Sequence, residues 1–257
     1  MKAAAFEMVR PAALAEATAL LARIGASALA GGQSLGPMLN LRLARPTLVV
    51  PITHLAALHE VSVTASSVTI GACVTHATIA DGTIPDVGPP DAGLNVLARV
   101  AEGIAYRAVR TRGTIGGSLC HADPAADWVT VLTTLGAEVL TTADRVLPLR
   151  DFIRGAFRTA LNQGELLRAV RIPKLSPTAR WGYVKACRKP GEFAHAMAAV
   201  LVDRGMTRAV IGATGGAPIV LEGSRVTRTP DLPGLDAVDA HLQRVVLGRA
   251  MTQAGLA

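Results

Sequence analysis

Two glycine-rich stretches decide how this chain is interpreted: AGGQSLGPMLNLRLARP at residues 30–46 and RGTIGGSLCHADPAADW at residues 112–128. Each stretch contains a glycine pair with a serine close behind it. Because glycine has no Cβ, its main chain can approach a ligand closely. Successive N–H groups in such a turn can also converge on an anion. Each stretch therefore predicts either a phosphate-binding loop or an ordinary Gly-Gly turn.

The residues around the first stretch narrow the class of nucleotide site. The G-x-G-x-x-G spacing of dinucleotide-binding Rossmann folds is absent, and no Gly-Lys-Ser/Thr follows as it would in a P-loop. Ser34 adds a hydroxyl donor, and no adjacent His/Asp arrangement would make it a nucleophile. The apolar run Pro37–Leu43 predicts a helix whose N-terminus faces the same ligand.

Two aspartates follow the second glycine pair. Asp123 and Asp127 could accept hydrogen bonds from sugar hydroxyls. Asp123-Pro124 is equally typical of a helix N-cap with proline at the first helical position. In that arrangement Asp127 would lie inside a buried helix, Asp127–Leu135, where a carboxylate needs a partner.

The composition is that of a folded, basic protein. Of 257 residues, 50% are apolar and 18% are charged, which argues against a disordered chain. The net charge of +7 suits either a solvated basic surface or a face that docks an acidic partner or an anionic cofactor. The arginines are scattered singly and aromatic residues are scarce, which argues against a nucleic-acid binder.

Cysteine, histidine and hydropathy patterns exclude further classes. The separated cysteines Cys73, Cys120 and Cys187 match neither a disulfide framework nor the four thiolates of an iron–sulfur cluster. The histidines form no metal-binding pattern and are interpreted as surface or supporting residues. No apolar run is long enough to span a membrane, and Met1–Arg10 does not resemble a secretory signal. We therefore expect a cytoplasmic protein without a metal of its own.

Proline-bounded breaks predict three units, at residues 1–58, 59–173 and 174–257, with Pro173–Pro177 as the clearest boundary. The predicted helices are Pro11–Arg23, Pro37–Leu43, Leu94–Ile104, Asp127–Leu135 and Asp236–Ala257. The predicted strands are Ser27–Ala30, Leu48–Ile52, Val61–Ala65, Ser67–Cys73, Ala137–Thr141, Glu165–Ile172, Gly182–Arg188, Ala198–Asp203 and Arg208–Gly212. Of these, Val61–Ala65 and Ser67–Cys73 alternate like the two strands of an antiparallel pair.

Four strings in order give the chain a family resemblance. Besides the two glycine stretches, they are Glu165-Leu166-Leu167 with Arg171-Ile172-Pro173, and Tyr183-x-Lys185 with Arg188 and Gly191-Glu192-Phe193-Ala194. Together they resemble the FAD-binding medium subunits of the carbon monoxide dehydrogenase and xanthine dehydrogenase family of molybdenum hydroxylases. The resemblance implies an α+β fold, in which a two-lobed FAD-binding domain of the vanillyl-alcohol-oxidase/PCMH type carries a small C-terminal α/β domain.

The same resemblance implies where FAD would bind. The two stretches would wrap the pyrophosphate with main-chain N–H groups, Asp127 would bind adenosine-side hydroxyls, and Leu167 would contact the flavin end. Lys185 would lie at the pyrimidine edge of the flavin, where a fixed cation stabilises the reduced form. Without the resemblance, Lys185 would be a solvent-facing lysine on an edge strand. The expected cofactor residues are Ala30, Gly31, Gly32, Gln33, Ser34, Leu35, Thr114, Ile115, Gly116, Gly117, Ser118, Asp123, Asp127, Leu167 and Lys185.

Two functions are compatible with this reading. The first is an electron-transfer subunit that takes electrons from a small [2Fe–2S] subunit, beside a large molybdopterin subunit, and passes them through FAD to NAD, a quinone or oxygen. The second is a free-standing FAD-dependent enzyme that acts on a small molecule. Departures from the family pattern at Pro51, Thr111 and Glu192, together with a shortened C-terminal part, motivate the second. No acid–base residue is assigned for either.

Overall fold

The computed structural model describes residues 2–88 and 95–256, and three main sheets organise this part of the chain. The first sheet is parallel, with strand order β1-β3-β2. Its strands are β1 (Glu7–Met8), β2 (Ala26–Leu29) and β3 (Leu48–Pro51). Helix α1 (Leu14–Leu21) lies within the predicted range Pro11–Arg23 and buries Ala17 and Leu21 in the core of this lobe.

Helix α2 (Leu35–Asn40) begins and ends earlier than the predicted Pro37–Leu43. Arg42 adopts a left-handed φ of 58°. The N–H of Leu43 then bonds to the carbonyl of Met38 at 2.9 Å. A left-handed residue closing back on the last turn is a common way for a helix to end. The shift places the first residue of α2 directly after Ser34.

The second sheet is antiparallel and five-stranded, with order β4-β5-β10-β6-β7. Its strands are β4 (Val61–Val63), β5 (Ser67–Gly71), β6 (Glu138–Thr141), β7 (Val146–Pro148) and β10 (Leu167–Pro173). The predicted pairing of the first two strands is confirmed, with Val63 opposite Val68. Strand β7 and a short hairpin, β8 (Ile153–Gly155) with β9 (Arg158–Thr159), were not predicted.

Six helices cover this sheet within the described residues. They are α3 (His76–Ala80), α4 (Val96–Glu102), α5 (Arg107–Arg110), α6 (Ile115–His121), α7 (Asp127–Thr134) and α8 (Leu149–Phe152). The predicted helix Asp127–Leu135 is confirmed as α7, and Leu94, the predicted start of α4, lies outside the described residues. Helices α3, α5 and α6 are too short for their periodicity to be recognised. Both glycines of the second pair, Gly116 and Gly117, and the serine behind them, Ser118, belong to α6.

The third sheet is antiparallel, with order β11-β12-β13-β14. Its strands are β11 (Arg180–Ala186), β12 (Ala196–Asp203), β13 (Met206–Gly212) and the unpredicted β14 (Ile219–Glu222). Alternate residues of β12 face opposite layers. Ala198 and Val200 pack under α9 (Ala237–Gln253), whereas Ala199 and Leu201 join the core of the second lobe. The proposed divisions at 58/59 and 173/174 fall between the three sheets.

Candidate functional site

The two glycine stretches are separated by about eighty residues in sequence, yet they touch each other in the fold. A Cβ on Gly31 would lie 1.9 Å from the carbonyl oxygen of Arg112. A Cβ on Gly117 would lie 3.5 Å from the Cβ of Ala30. Gly31 is therefore a glycine because the second stretch packs against its main chain. The structure brings the two predicted loops together at one site.

The first stretch presents main-chain N–H groups that bond to nothing in the described part of the chain. No described residue accepts a hydrogen bond from the N–H groups of Gly32, Gln33, Ser34 or Leu35. Gly32 has a φ of 72°, and its carbonyl accepts from Gly36 at 2.9 Å. Ser34 precedes α2 but makes no side-chain cap bond, so its hydroxyl is also available. Half-buried N–H groups in a row without acceptors form a nest for an anion.

In the second stretch, by contrast, most main-chain N–H groups already have acceptors within the protein. The N–H of Ile115 donates to Val74, that of Gly116 to Ala72, and those of Gly117 and Ser118 to the side chain and main chain of Thr114. Thr114 caps α6, so the first turn of this helix is satisfied by protein acceptors. In the structure, protein acceptors are already bonded to the N–H groups of residues 115–118, and Thr114 is buried. The half-buried Ser118 hydroxyl bonds to no described residue, so it is the group of this stretch that remains available to a ligand.

His76 is a buried residue that contacts the second stretch through hydrogen bonds. Its main-chain N–H donates to Gly113 at 2.9 Å, and its Nδ1 accepts from Trp128 Nε1 at 3.1 Å. Burial, helped by the nearby Arg110 guanidinium, lowers the pKa of His76 from 6.5 to about 4. The imidazole is therefore neutral at neutral pH and carries its proton on Nε2. Sequence interpretation placed His76 among surface or supporting residues, and the structure makes it a buried support.

The two aspartates have different environments. Asp123 Oδ1 accepts from Ala125 at 2.9 Å in a turn, and the N-cap of α7 is Ala126. The N-cap interpretation of Asp123 is therefore wrong. Asp127 is the first residue of α7 and is 5% exposed. The Lys185 ammonium donates to its two oxygens at 3.0 and 3.1 Å, and the Tyr183 hydroxyl donates to Oδ1 at 2.6 Å.

The ion pair between Asp127 and Lys185 bears on the roles that the resemblance implied for these two residues. The adenosine hydroxyls and the pyrimidine edge of the flavin lie at opposite ends of an extended FAD, so side chains 3.0 Å apart cannot serve both. The solvent-facing alternative for Lys185 is wrong as well, since its side chain is 11% exposed. Lys185 lies on the wall of a cavity of about 330 Å³, between residues 102–110 and 185–191.

Leu167 also differs from expectation. It begins β10 next to a β-bulge, and its side chain is 2% exposed in the core of the second lobe. A side chain that is already enclosed has little surface to offer a flavin. Tyr183 was not assigned a site role from the sequence, although its two-residue spacing from Lys185 on a strand places both side chains on one face.

Two general properties complete the description of residues 2–88 and 95–256. None of their helices is long and apolar enough to cross a membrane. No group of at least three His, Cys, Asp or Glu side chains in this part is arranged to hold a metal ion.

Comparison with known proteins identifies similar chains. Caffeine dehydrogenase subunit beta from Pseudomonas sp. (strain CBB1) is 35% identical over 208 residues, covering 79% of this chain and 69% of that protein. Carbon monoxide dehydrogenase medium chain from Hydrogenophaga pseudoflava is 33% identical over 230 residues, covering 86% and 78%.

The fold is shared with solved structures. Reconstituted CO dehydrogenase from Oligotropha carboxidovorans matches with a TM-score of 0.86 and 28% identity, over 99% of both chains. Quinoline 2-oxidoreductase from Pseudomonas putida 86 matches with a TM-score of 0.84 and 30% identity, over 100% of this chain and 99% of that one. The expected fold class, a two-lobed FAD-binding domain of the PCMH type with a further C-terminal domain, is confirmed.

A family model described as the FAD binding domain in molybdopterin dehydrogenase matches residues 4–175. This range holds both glycine stretches, the free N–H groups and Asp127. The chain therefore belongs to the family of FAD-binding domains of molybdopterin dehydrogenases, and FAD is its cofactor.

Proposed function

We propose that this chain is the FAD-containing subunit of a molybdenum hydroxylase-type dehydrogenase and that its role is electron transfer. It would receive electrons from a small [2Fe–2S] subunit, beside a large molybdopterin subunit that oxidises the substrate, and deliver them through FAD to NAD, a quinone or oxygen. The observation that carries the proposal is the row of N–H groups at Gly32–Leu35 that bond to no described residue, in a stretch that the second glycine stretch touches. Two relatives are named as a "medium chain" and a "subunit beta", which supports a subunit role.

The pyrophosphate would be held mainly by the first stretch. The N–H groups of Gly32, Gln33, Ser34 and Leu35 supply adjacent donors, and the Ser34 hydroxyl adds one more. Hydrogen bonds to a charged phosphate are stronger than those between neutral groups. From the second stretch, the Ser118 hydroxyl would add a further donor. The hydrogen bonds in the first turn of α6 hold the main chain that carries it.

The flavin end would lie at Lys185. When bound, FAD would supply the chemistry that links one-electron donors to two-electron acceptors. The Lys185 ammonium lies on the wall of the cavity, where low solvent exposure strengthens its field, and it would face the negative charge of the reduced flavin. Asp127 anchors this ammonium. We therefore propose that Asp127 acts at the flavin end together with Lys185.

We propose a cytoplasmic location and docking to acidic partners from the free thiols and the net charge. Cys73, Cys120 and Cys187 are free thiols, which suits the reducing cytoplasm. The net charge of +7 suits docking to acidic partner surfaces.

Loss of the two unpartnered hydroxyls tests the proposal. Ser34→Ala and Ser118→Ala should each weaken FAD binding about tenfold, because each removes a hydrogen bond to a charged group and no protein partner is left behind. Ser62→Ala is the matched control, since Ser62 lies in β4 and its hydroxyl has no partner among the described residues. FAD affinity is measured by fluorescence titration of the apoprotein, with thermal unfolding as the folding check. Wild-type affinity in the double variant would refute the assigned site.

Turnover separates the subunit from the free-standing enzyme. The purified chain loaded with FAD should transfer electrons from a reduced iron–sulfur donor to an acceptor and should oxidise no organic substrate alone. Full substrate oxidation by the isolated chain would favour the free-standing flavoenzyme instead.

A further inference from the structure

A buried polar cluster joins the C-terminal sheet to the second lobe. Asp127 comes from the start of α7, whereas Tyr183 and Lys185 come from β11. The Lys185 ammonium bonds both oxygens of Asp127 and also approaches the carbonyl of Gly103 at 3.3 Å. The Tyr183 hydroxyl, 2.6 Å from Asp127 Oδ1, is the shortest contact of the three to this carboxylate.

Tyr183 is held firmly enough to orient its partner. Its main-chain N–H donates to Gln253 Oε1 in α9 at 2.9 Å, and the residue pairs with Ala199 of β12. Burial, together with the charge of Asp127, raises the pKa of Tyr183 well above its usual value. The phenol therefore stays protonated and donates its hydrogen to the carboxylate.

The donated hydrogen bond changes what Asp127 does to Lys185. A carboxylate that accepts a short hydrogen bond from a phenol holds less negative charge for its other partner. Part of the Lys185 charge thus stays directed at the cavity of about 330 Å³ on whose wall the residue lies.

We propose that Tyr183 is a positioning residue that, through Asp127, sets how strongly the Lys185 ammonium favours reduced over oxidised flavin. This inference rests on the proposed function, because it requires FAD at Lys185. A phenylalanine would fill the same space at position 183, so the hydroxyl itself is what the inference assigns.

The test compares FAD-loaded wild type with Tyr183→Phe. The ratio of reduced-flavin to oxidised-flavin affinity, obtained from the midpoint potential by equilibration with a reference dye, should fall about three- to tenfold, the range of one hydrogen bond to a charged group. The potential should therefore become more negative. Ser62→Ala is the control, because Ser62 lies in β4, away from the cavity that Lys185 lines, and its exposed hydroxyl has no partner among the described residues.

A double variant shows whether Tyr183 acts through Lys185. Lys185→Gln alone should lower the potential more than Tyr183→Phe does. Adding Tyr183→Phe to Lys185→Gln should then change nothing further, since coupled residues are not additive. An unchanged potential in Tyr183→Phe, or an undiminished effect in the Lys185→Gln background, would overturn the inference.

A second measurement needs neither a Tyr183 variant nor FAD. In Tyr106→Phe, Tyr183 is the sole tyrosine, and alkaline absorbance titration reports its phenol alone. We expect ionisation only well above the ordinary pKa of about 10. Ionisation in the ordinary range by folded protein would refute the contact with Asp127. If the wild-type protein binds no FAD, the proposed function is wrong. If Tyr183→Phe has a normal FAD content and an unchanged midpoint potential, only the role of Tyr183 is wrong.

Discussion

The ion pair between Glu165 and Arg145 should contribute strongly to the stability of the second lobe. The guanidinium Nε donates to Glu165 Oε1 at 2.8 Å, and its Nη2 bonds both Oε2 and the carbonyl of Ala160. The N–H of Asn162 donates to Oε2 at 2.9 Å. Burial alone would raise the pKa of Glu165, but these donors outweigh it and lower the pKa from 4.5 to about 2.

The magnitude follows from that pKa change. At about 1.36 kcal/mol per pH unit, the change corresponds to about 3 kcal/mol at neutral pH. The Glu165 side chain is 3% exposed, so solvent screens it little, but Arg145 is 33% exposed. We therefore expect Glu165→Gln to lower the unfolding free energy by about 2 to 3 kcal/mol.

Urea unfolding of the FAD-free protein at several pH values measures this effect. Because the folded pKa is depressed, the stabilisation is present above pH 4.5 and is lost as the pH falls from 4.5 towards 2. Glu138→Gln is the matched control: its pair with Arg171 is 37% exposed on both sides and should contribute at most about 1 kcal/mol. An equal loss in the two variants at neutral pH, or a Glu165→Gln effect independent of pH, would refute the reasoning.

Two further perturbations test other parts of the fold. The lowered pKa of His76 predicts that wild type loses about 3 kcal/mol of unfolding free energy as the pH falls from 6.5 to about 4. In urea unfolding at several pH values, His76→Gln should lack this pH dependence of the unfolding free energy, and the control His59→Gln should keep it. The Asp236 side chain caps α9 by accepting hydrogen bonds from the N–H groups of Val238 and Asp239. Asp236→Ala should therefore lower the unfolding free energy by about 1 kcal/mol in thermal unfolding. A loss of stability no larger than that of the control Asp231→Ala would contradict the cap.

Similar sequence patterns have different structural consequences in the two glycine stretches. Both have a glycine pair with a nearby serine, and both were predicted to use main-chain N–H groups on the same ligand. In the first, the left-handed turn at Gly32 leaves the following N–H groups without protein acceptors. In the second, Thr114 and the segment before α3 accept those hydrogen bonds. The distinction depends on neighbours that are remote in sequence, so local patterns do not reveal it.

The sequence by itself determined the cofactor class, the fold class and the longer elements. The two glycine stretches, with the Glu165 and Lys185 strings behind them, carry the family resemblance that implied FAD. Periodicity was enough for α1, α7 and the pairing of β4 with β5, because those patterns repeat within one element. Elements shorter than two turns, such as α3, α5 and α6, do not repeat often enough to be seen.

Only the tertiary structure decided which polar side chains meet. Asp127 and Lys185 are 58 residues apart, and they pair because the C-terminal sheet packs β11 beside the start of α7. Tyr183 joins them because strand alternation gives it the same face. Contacts of this kind depend on how layers stack, with distances that local sequence does not encode. The glycine stretches thus predict a pyrophosphate site from sequence, whereas the packing of the third sheet is what brings Tyr183 and Lys185 to Asp127.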